Sequence, residues 1–340
     1  MNEAAWDLLV ARDELNQSRF VDHPVPVAGT GEALLRVDRV GVTANNVTYA
    51  LMGEAMNYWN FFPTEPGWGR VPLWGFADVV QSNVSGVDVG SRVYGYLPTS
   101  SHLIVQPDRA DGAGFRDGSE HRAGLPSPYN VYATTSGDPA YDADREDLQI
   151  LYRPLFITSF MLDDFLADND FFGADTIVMS SASSKTSYGT AFCIGLREPR
   201  PRIVGLTSGG NVGFTHKLGC YDEVVSYEDV TSTPAERPTM YVDMAGDAPL
   251  RETIHDHFGD RLVYDAIVGV THLDQTALSA SVASGPEPAF FFAPTQMKKR
   301  RADWGPGGIE KRYGAVWRRF VPVVEGWVDV TVSNAREGLR

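Results

Sequence analysis

Residues 176–189 read TIVMSSASSKTSYG, and the change of character inside this stretch decides the fold. Thr176–Met179 is short, apolar and rich in β-branched side chains, the pattern of a strand buried on both faces. Small, mostly hydroxylated residues follow from Ser180 to Ser187, and helical spacing runs from Tyr188 to Leu196. Working outward, the alternation repeats. Arg202–Leu206 reads as a second strand, Val212–Leu218 as a helix and Val224-Val225 as a third strand. Thr239–Val242 is a fourth strand, Leu262–Val270 contains a fifth, and Leu155–Leu166 supplies a helix ahead of the first. Buried strands alternating with helices imply an α/β fold with a doubly wound parallel sheet.

Upstream the pattern is different. Ala33–Val40 alternates at period two, and Val79-Val80, Arg92–Tyr96 and Leu103–Gln106 are further short strands set between Gly, Asn and Asp. Such spacing suggests a small β barrel or sandwich. Residues 108–147 have little periodicity and read as a long loop, either a pocket wall or a solvated insertion. Asp138, Asp142 and Asp144 lack the glycine and distal glutamate of a calcium loop. Downstream, Ile309–Phe320 is a basic amphipathic helix, and Gly326–Val332 alternates like a strand returning to the β-rich part.

The 340 residues suit about two domains. With 29 Lys+Arg against 44 Asp+Glu the formal charge is −15, which disfavours nucleic acid and anionic membrane as partners and leaves a small molecule as the expected one. Two cysteines, Cys193 and Cys220, exclude a disulfide scaffold and a thiolate-rich zinc site. The longest apolar runs, such as 289–294 (AFFFAP), are far short of the roughly 20 residues of a spanning helix. No secretory leader is evident, so a cytoplasmic location is expected.

The hydroxyl-rich stretch carries the first candidate chemistry. Ser183, Ser184, Thr186 and Ser187 bring hydroxyls, and Lys185 an ammonium, to a helix N-terminus, where anions are stabilised. One of these hydroxyls can be explained as a cap. Four with a lysine point to anion binding. Without its glycines, Lys185-Thr186 is a poor triphosphate loop.

Three segments resemble the medium-chain dehydrogenase/reductase superfamily in its zinc-free, quinone-oxidoreductase-like branch. They are 31–43 (GEALLRVDRVGVT), 87–93 (VDVGSRV) and 216–227 (HKLGCYDEVVSY). More narrowly, the whole chain resembles a bacterial and fungal family catalogued only as a domain of unknown function. The resemblance implies a β-rich, barrel-like (GroES-like) domain over 1–150 and 295–340, and a Rossmann-like dinucleotide-binding domain over 151–294. It implies no metal, because Thr43 and Trp74 stand where zinc relatives have ligands. It departs from the relatives' A-x-x-G-x-x-G, since serines and Thr186 replace the glycines. It implies NADP(H) in preference to NAD(H), since 206–211 (LTSGGN) closes the second strand without an acid.

By resemblance, Thr43, Thr207, Ser208, Asn211, Tyr227 and Thr271 join Ser183, Ser184, Lys185 and Thr186 as coenzyme contacts. Asn46, Tyr49 and Tyr58 are the catalytic candidates. The cluster Tyr58–Phe62 reads either as the wall of a flat-substrate pocket or as core. His272 is either structural or an acid/base, Phe291–Pro294 falls where relatives meet the nicotinamide, and Lys298–Arg301 is either a solvated face or an anion contact. The resemblance implies a homo-oligomer, a dimer or tetramer. The activity it implies is a zinc-independent, NADPH-dependent reduction of a quinone, enone or other conjugated carbonyl. The alternatives are a ketone or aldehyde reductase, or a non-catalytic NADPH-binding sensor or scaffold.

Overall fold

A computed structural model describes residues 4–268 and 285–339. The chain divides into two compact units, Met1–Arg153 with Asp329–Arg340, and Pro154–Val328. Residues 295–328, grouped by sequence with the β-rich part, thus count with the second unit.

The first unit is antiparallel. Strand β1 (Ala5–Ala11) lies between β2 (Ser18–His23) and β4 (Trp68–Gly69) in a three-stranded sheet. A seven-stranded sheet contains β3 (Ala33–Gly41), β5 (Leu73–Ser82), β6 (Arg92–Leu97), β7 (His102–Val105), β8 (Pro107–Asp111), β9 (Gly114–Asp117) and β10 (Val131–Thr134). Its order is β7-β3-β5-β6-β10-β9-β8. Helix α1 (Ala44–Leu51) follows β3. Inward residues of β3, β5, β6 and β7, among them Leu35, Val79, Val93 and Val105, form the core with a group of aromatic rings.

The expected loop over 108–147 is instead built structure. It holds β8, β9 and β10, several short helical turns, and the start of α2 (Glu146–Asp168). Phe115 stacks on Tyr132 at 5.3 Å, and Asp117 and Arg122 form a buried ion pair at 3.1 Å. Burying charges as a pair hides the apolar alternation from which a strand is read.

The second unit is the parallel sheet. Its strands are β11 (Thr176–Met179), β12 (Arg202–Thr207), β13 (Glu223–Ser226), β14 (Thr239–Asp243), β15 (Leu262–Ile267) and β16 (Ala289–Phe290). The order is β13-β12-β11-β14-β15-β16, with every pairing parallel. Counted along the chain this is 3-2-1-4-5-6, which reverses direction between β11 and β14 and opens a crevice at the carboxyl ends there. The helices are α3 (Lys185–Gly195), α4 (Val212–Lys217), α5 (Ala248–Phe258), α6 (Ala293–Trp304) and α7 (Gly308–Glu325). Helix α7 buries Tyr313, Trp317, Phe320 and Val324 at helical spacing, and Phe320 stacks on Phe156 at 4.2 Å.

The expected strand over Gly326–Val332 does not form. The indole of Trp327 packs on Tyr188 at 5.1 Å, and the stretch after it, to residue 334, forms no ladder. Alternation fits a strand, but only a partner's backbone makes one. A short helix, α8 (Ala335–Gly338), follows. No helix of the described residues is long and apolar enough to cross a membrane.

Candidate functional site

In the second unit β11 ends at Met179 and α3 begins at Lys185, so Ser180–Ser184 make the crossover. Ser181 has φ +48°, a left-handed conformation that costs a non-glycine residue roughly 1 kcal/mol or more. Its amide donates to the Tyr227 hydroxyl at 3.0 Å. Ser184 is the N-cap and accepts from the Ser187 amide at 3.3 Å. Ser187 is buried and donates to the Ser180 carbonyl at 3.2 Å, while the Tyr221 hydroxyl donates to the Ala182 carbonyl at 2.8 Å. The hydroxyls of Ser183 and Thr207 meet at 3.4 Å, joining the crossover to the end of β12. Of the hydroxyls picked from sequence, Ser184 and Ser187 therefore shape the loop. Ser183 and Thr186 remain partly exposed on it.

Close packing fixes this loop from both sides. A Cβ on Gly205 would stand 2.8 Å from the Tyr221 ring and 2.9 Å from Ala182. A Cβ on Gly189 would stand 2.7 Å from Ser159 Oγ, so α3 lies against α2 only because residue 189 has no side chain. Lys185, the first helical residue, is half-buried, and burial lowers its ammonium pKa. Beyond β12, the Asn211 amide donates to Ser208 Oγ at 3.1 Å, and no acidic residue lies between Thr207 and Asn211.

Small side chains, hydroxyls and an ammonium at the helix start suit a pyrophosphate, and an acid-free β12 end suits a 2′-phosphate. Lys217 lies in the last turn of α4. Thr271 and His272 fall outside the described residues.

Beneath the crossover is a buried ionic network that the sequence reading missed. Asp243, at the end of β14, accepts from Ser180 Oγ at 3.0 Å, from the Tyr241 hydroxyl at 3.2 Å and from the amides of Ala245 and Gly246 at 2.9 Å. Arg251 pairs with Asp243 and, at 3.4 Å, with Asp265, whose other neighbour is His255 at 2.9 Å. Arg251 and His255 are four apart on α5 and so share a face, the one signal that could have revealed them. Because Ser180 is one of the partners, the network ties the β14 turn to the crossover.

Two residues of the basic run 298–301 are engaged in ion pairs. Arg300 binds Asp164 at 2.6 Å and Asp168 at 2.9 Å, and Lys299 also binds Asp168. Phe291 is buried against Phe165 at 5.3 Å.

In the first unit Thr43 is the N-cap of α1. Asn46 closes that cap by accepting from the Thr43 amide at 2.7 Å, and its own amide donates to the Pro72 carbonyl at 2.9 Å. Asn46 therefore positions the helix that carries Tyr49. The Tyr49 oxygen accepts from Asn45 at 2.8 Å and from Trp74 Nε1 at 3.1 Å, and burial pushes its pKa up to about 12.

Tyr58 lies 4.8 Å from Tyr49, ring to ring, and Tyr129 sits 6.0 Å from Tyr58 and 4.8 Å from Tyr96. Tyr49, Tyr58, Phe61, Phe62 and Tyr96 are buried in one core cluster. The Tyr96 hydroxyl has no hydrogen-bond partner among the described residues. Asn60 turns outward to Asn57, and Trp59 fills a separate space against Gly53 and Gly69. Tyr96 and Tyr129 escaped the sequence reading because nothing local connects them to Tyr49, whereas Asn45, four residues before Tyr49 on α1, shares its helix face and could have been found. Among the described residues no three His, Cys, Asp or Glu side chains gather as metal ligands would.

A 3-2-1-4-5-6 parallel sheet with a small-residue crossover, joined in sequence to an antiparallel β unit, is the fold of the medium-chain dehydrogenase/reductases. The chain belongs to a family described as a protein of unknown function (DUF2855), whose model matches residues 40–340.

Solved structures agree on the fold. CurA from Vibrio vulnificus, in complex with NADPH, is 13% identical with TM-score 0.59, covering 98% of this chain and 93% of that one. A mutant enoyl thioester reductase from Candida tropicalis is 10% identical with TM-score 0.54, covering 97% and 91%. The quinone oxidoreductase from Thermus thermophilus, also solved with NADPH, is 13% identical with TM-score 0.50, covering 96% and 88%. A search of curated proteins finds no match.

Proposed function

We propose that this protein is an NADPH-dependent reductase of a quinone, enone or other conjugated carbonyl, acting without metal. The observation that carries the reading is the crossover. Lys185, Ser183 and Thr186 stand at the start of the first helix of the sheet, beside a β12 end without a carboxylate. NADPH supplies the hydride when bound. Lys185, Ser183 and Thr186 hold its pyrophosphate, and Ser208, Asn211 and Tyr227 receive the 2′-phosphate. That three of the solved neighbours' names carry NADPH or a reductase activity supports the choice.

On the substrate side, Tyr49 is the proton donor. Its oxygen already accepts two hydrogen bonds, and its own proton has no acceptor among the described residues. With a pKa near 12 it stays protonated at neutral pH and can hydrogen-bond a carbonyl oxygen as negative charge develops there. The surrounding rings of Tyr58, Trp74, Tyr96 and Tyr129 favour a flat, conjugated substrate.

A coenzyme-binding protein without turnover is the second reading. It is favoured by the Tyr227 hydroxyl, which already occupies the Ser181 amide. Thermal melts test the shared premise. NADPH at about 100 times its Kd should stabilise the protein by about 2.7 kcal/mol, a rise of several degrees, and NADH should do less. No shift with either would refute both readings. A shift without NADPH consumption across quinones, enones and aldehydes would select the second.

A further inference from the structure

The Tyr49 oxygen is held from two separate elements. Asn45 Nδ2, one turn earlier on α1, donates to Tyr49 Oη at 2.8 Å, and Trp74 Nε1, from the second residue of β5, donates to it at 3.1 Å. Both donors are anchored. Asn46 binds the Pro72 carbonyl at 2.9 Å, which ties α1 to the chain entering β5. Trp74 is paired on both sides, with Gly41 of β3 and with Tyr96 of β6. A phenol oxygen offers one proton and two lone pairs. With both lone pairs engaged, this hydroxyl can give a hydrogen bond but has no room to receive another.

The two bonds also respond to charge. A hydrogen bond to an ionised oxygen is about twice as strong as one to a neutral oxygen, so both tighten as the Tyr49 proton leaves. Burial raises the Tyr49 pKa, and the bonds from Trp74 and Asn45 pull against that rise. Burial raises Tyr96 as well, and its hydroxyl has no hydrogen-bond partner among the described residues. Tyr49 is thus the phenol of this cluster around which donors are arranged for the charge that proton transfer leaves behind.

We infer that Asn45 and Trp74 are positioning residues for the proton donor: their N–H groups aim the Tyr49 hydroxyl and stabilise the phenolate left once its proton has passed to the substrate oxygen. The inference rests on the reductase reading, which supplies the electrons as the hydride pair of NADPH. The proton is that of Tyr49, whose O–H bond breaks, and water restores it.

Difluorotyrosine placed at position 49 of the full chain is the probe. Its fluorine resonance reports that one phenol, and fluorination brings its titration down into a pH range the fold tolerates. Without coenzyme or substrate, Asn45→Ala and Trp74→Phe should each raise the titration midpoint by about one unit or more. In the unlabelled protein each should lower kcat by about tenfold in NADPH-dependent reduction, with KM and NADPH affinity within about twofold of the parent. A purely structural role would lower the melting temperature and leave the midpoint where it was. A midpoint that stays or falls in Asn45→Ala overturns the inference and leaves the reductase reading standing; a fall would mean that the Asn45 carbonyl takes the Tyr49 proton. No NADPH consumption by the parent would sink the reductase reading instead, and a raised midpoint would then mark the pair as having no catalytic part. Should Trp74→Phe fail to fold, Asn45→Ala, at a half-buried helix position, decides the matter.

Discussion

Replacing Lys185 by alanine separates an anion cradle from a capped turn. The lysine is the first residue of α3 and half-buried, so its charge is less screened than a surface lysine's. A hydrogen bond from an ammonium to a phosphate is worth about 1.5–3 kcal/mol, so NADPH should dissociate roughly 10–150-fold more readily from Lys185→Ala. Burial disfavours the charged lysine, and the melting temperature of the ligand-free variant is the control for its folding.

The pH dependence has a defined sign. The lowered pKa means that the unfolded chain holds this proton more firmly than the folded one. Without coenzyme, this group's contribution to stability therefore improves as pH rises through the lowered pKa. Coenzyme binding needs the proton, so affinity should fall over the same alkaline range, while Lys185→Arg should hold affinity to higher pH. Calorimetric titration with NADPH at several pH values is the assay. A Kd within twofold of the parent in a variant of unchanged melting temperature would show that the loop only caps its helix.

Four further outcomes are expected. Ser208→Asp, which sets a carboxylate where a 2′-phosphate would lie, should weaken NADPH by about tenfold or more and spare NADH, as read by fluorescence titration. Tyr49→Phe should lower kcat by about 100-fold with little change in coenzyme affinity, and should cost about 1–3 kcal/mol of stability because Asn45 and Trp74 lose their acceptor. Arg251→Met should cost roughly 3–5 kcal/mol in denaturant melts, because it leaves Asp243 and Asp265 charged and buried. Gly189→Ala should cost about 1–3 kcal/mol, because a Cβ there meets Ser159 Oγ at 2.7 Å and Phe156 at 3.1 Å.

Much of the fold is legible because apolar strands are bounded by glycine, serine and asparagine. The strands read at Thr176, Arg202, Thr239 and Leu262 match β11, β12, β14 and β15. Reading fails where order depends on distant partners. Residues 108–147 look like a loop because their strands are held by the Asp117–Arg122 pair and the Tyr132 ring. The 326–332 alternation looks like a strand but finds no ladder. Within the site, Ser184 reads equally as cap or ligand, and its bond to the Ser187 amide shows that it caps the helix.

The order of strand and helix, the hydroxyl-rich crossover and the absence of an acid after β12 are properties of neighbouring residues, and the sequence alone determines them. The assembly of Ser180, Asp243, Arg251 and Asp265 into one buried network was decided only by folding. So was the convergence of Asn45 and Trp74 on the Tyr49 oxygen. Apart from Asn45 and Tyr49, which share α1, these groups come from separate elements, and their charges and donors acquire value only when burial removes water and leaves each other as partners.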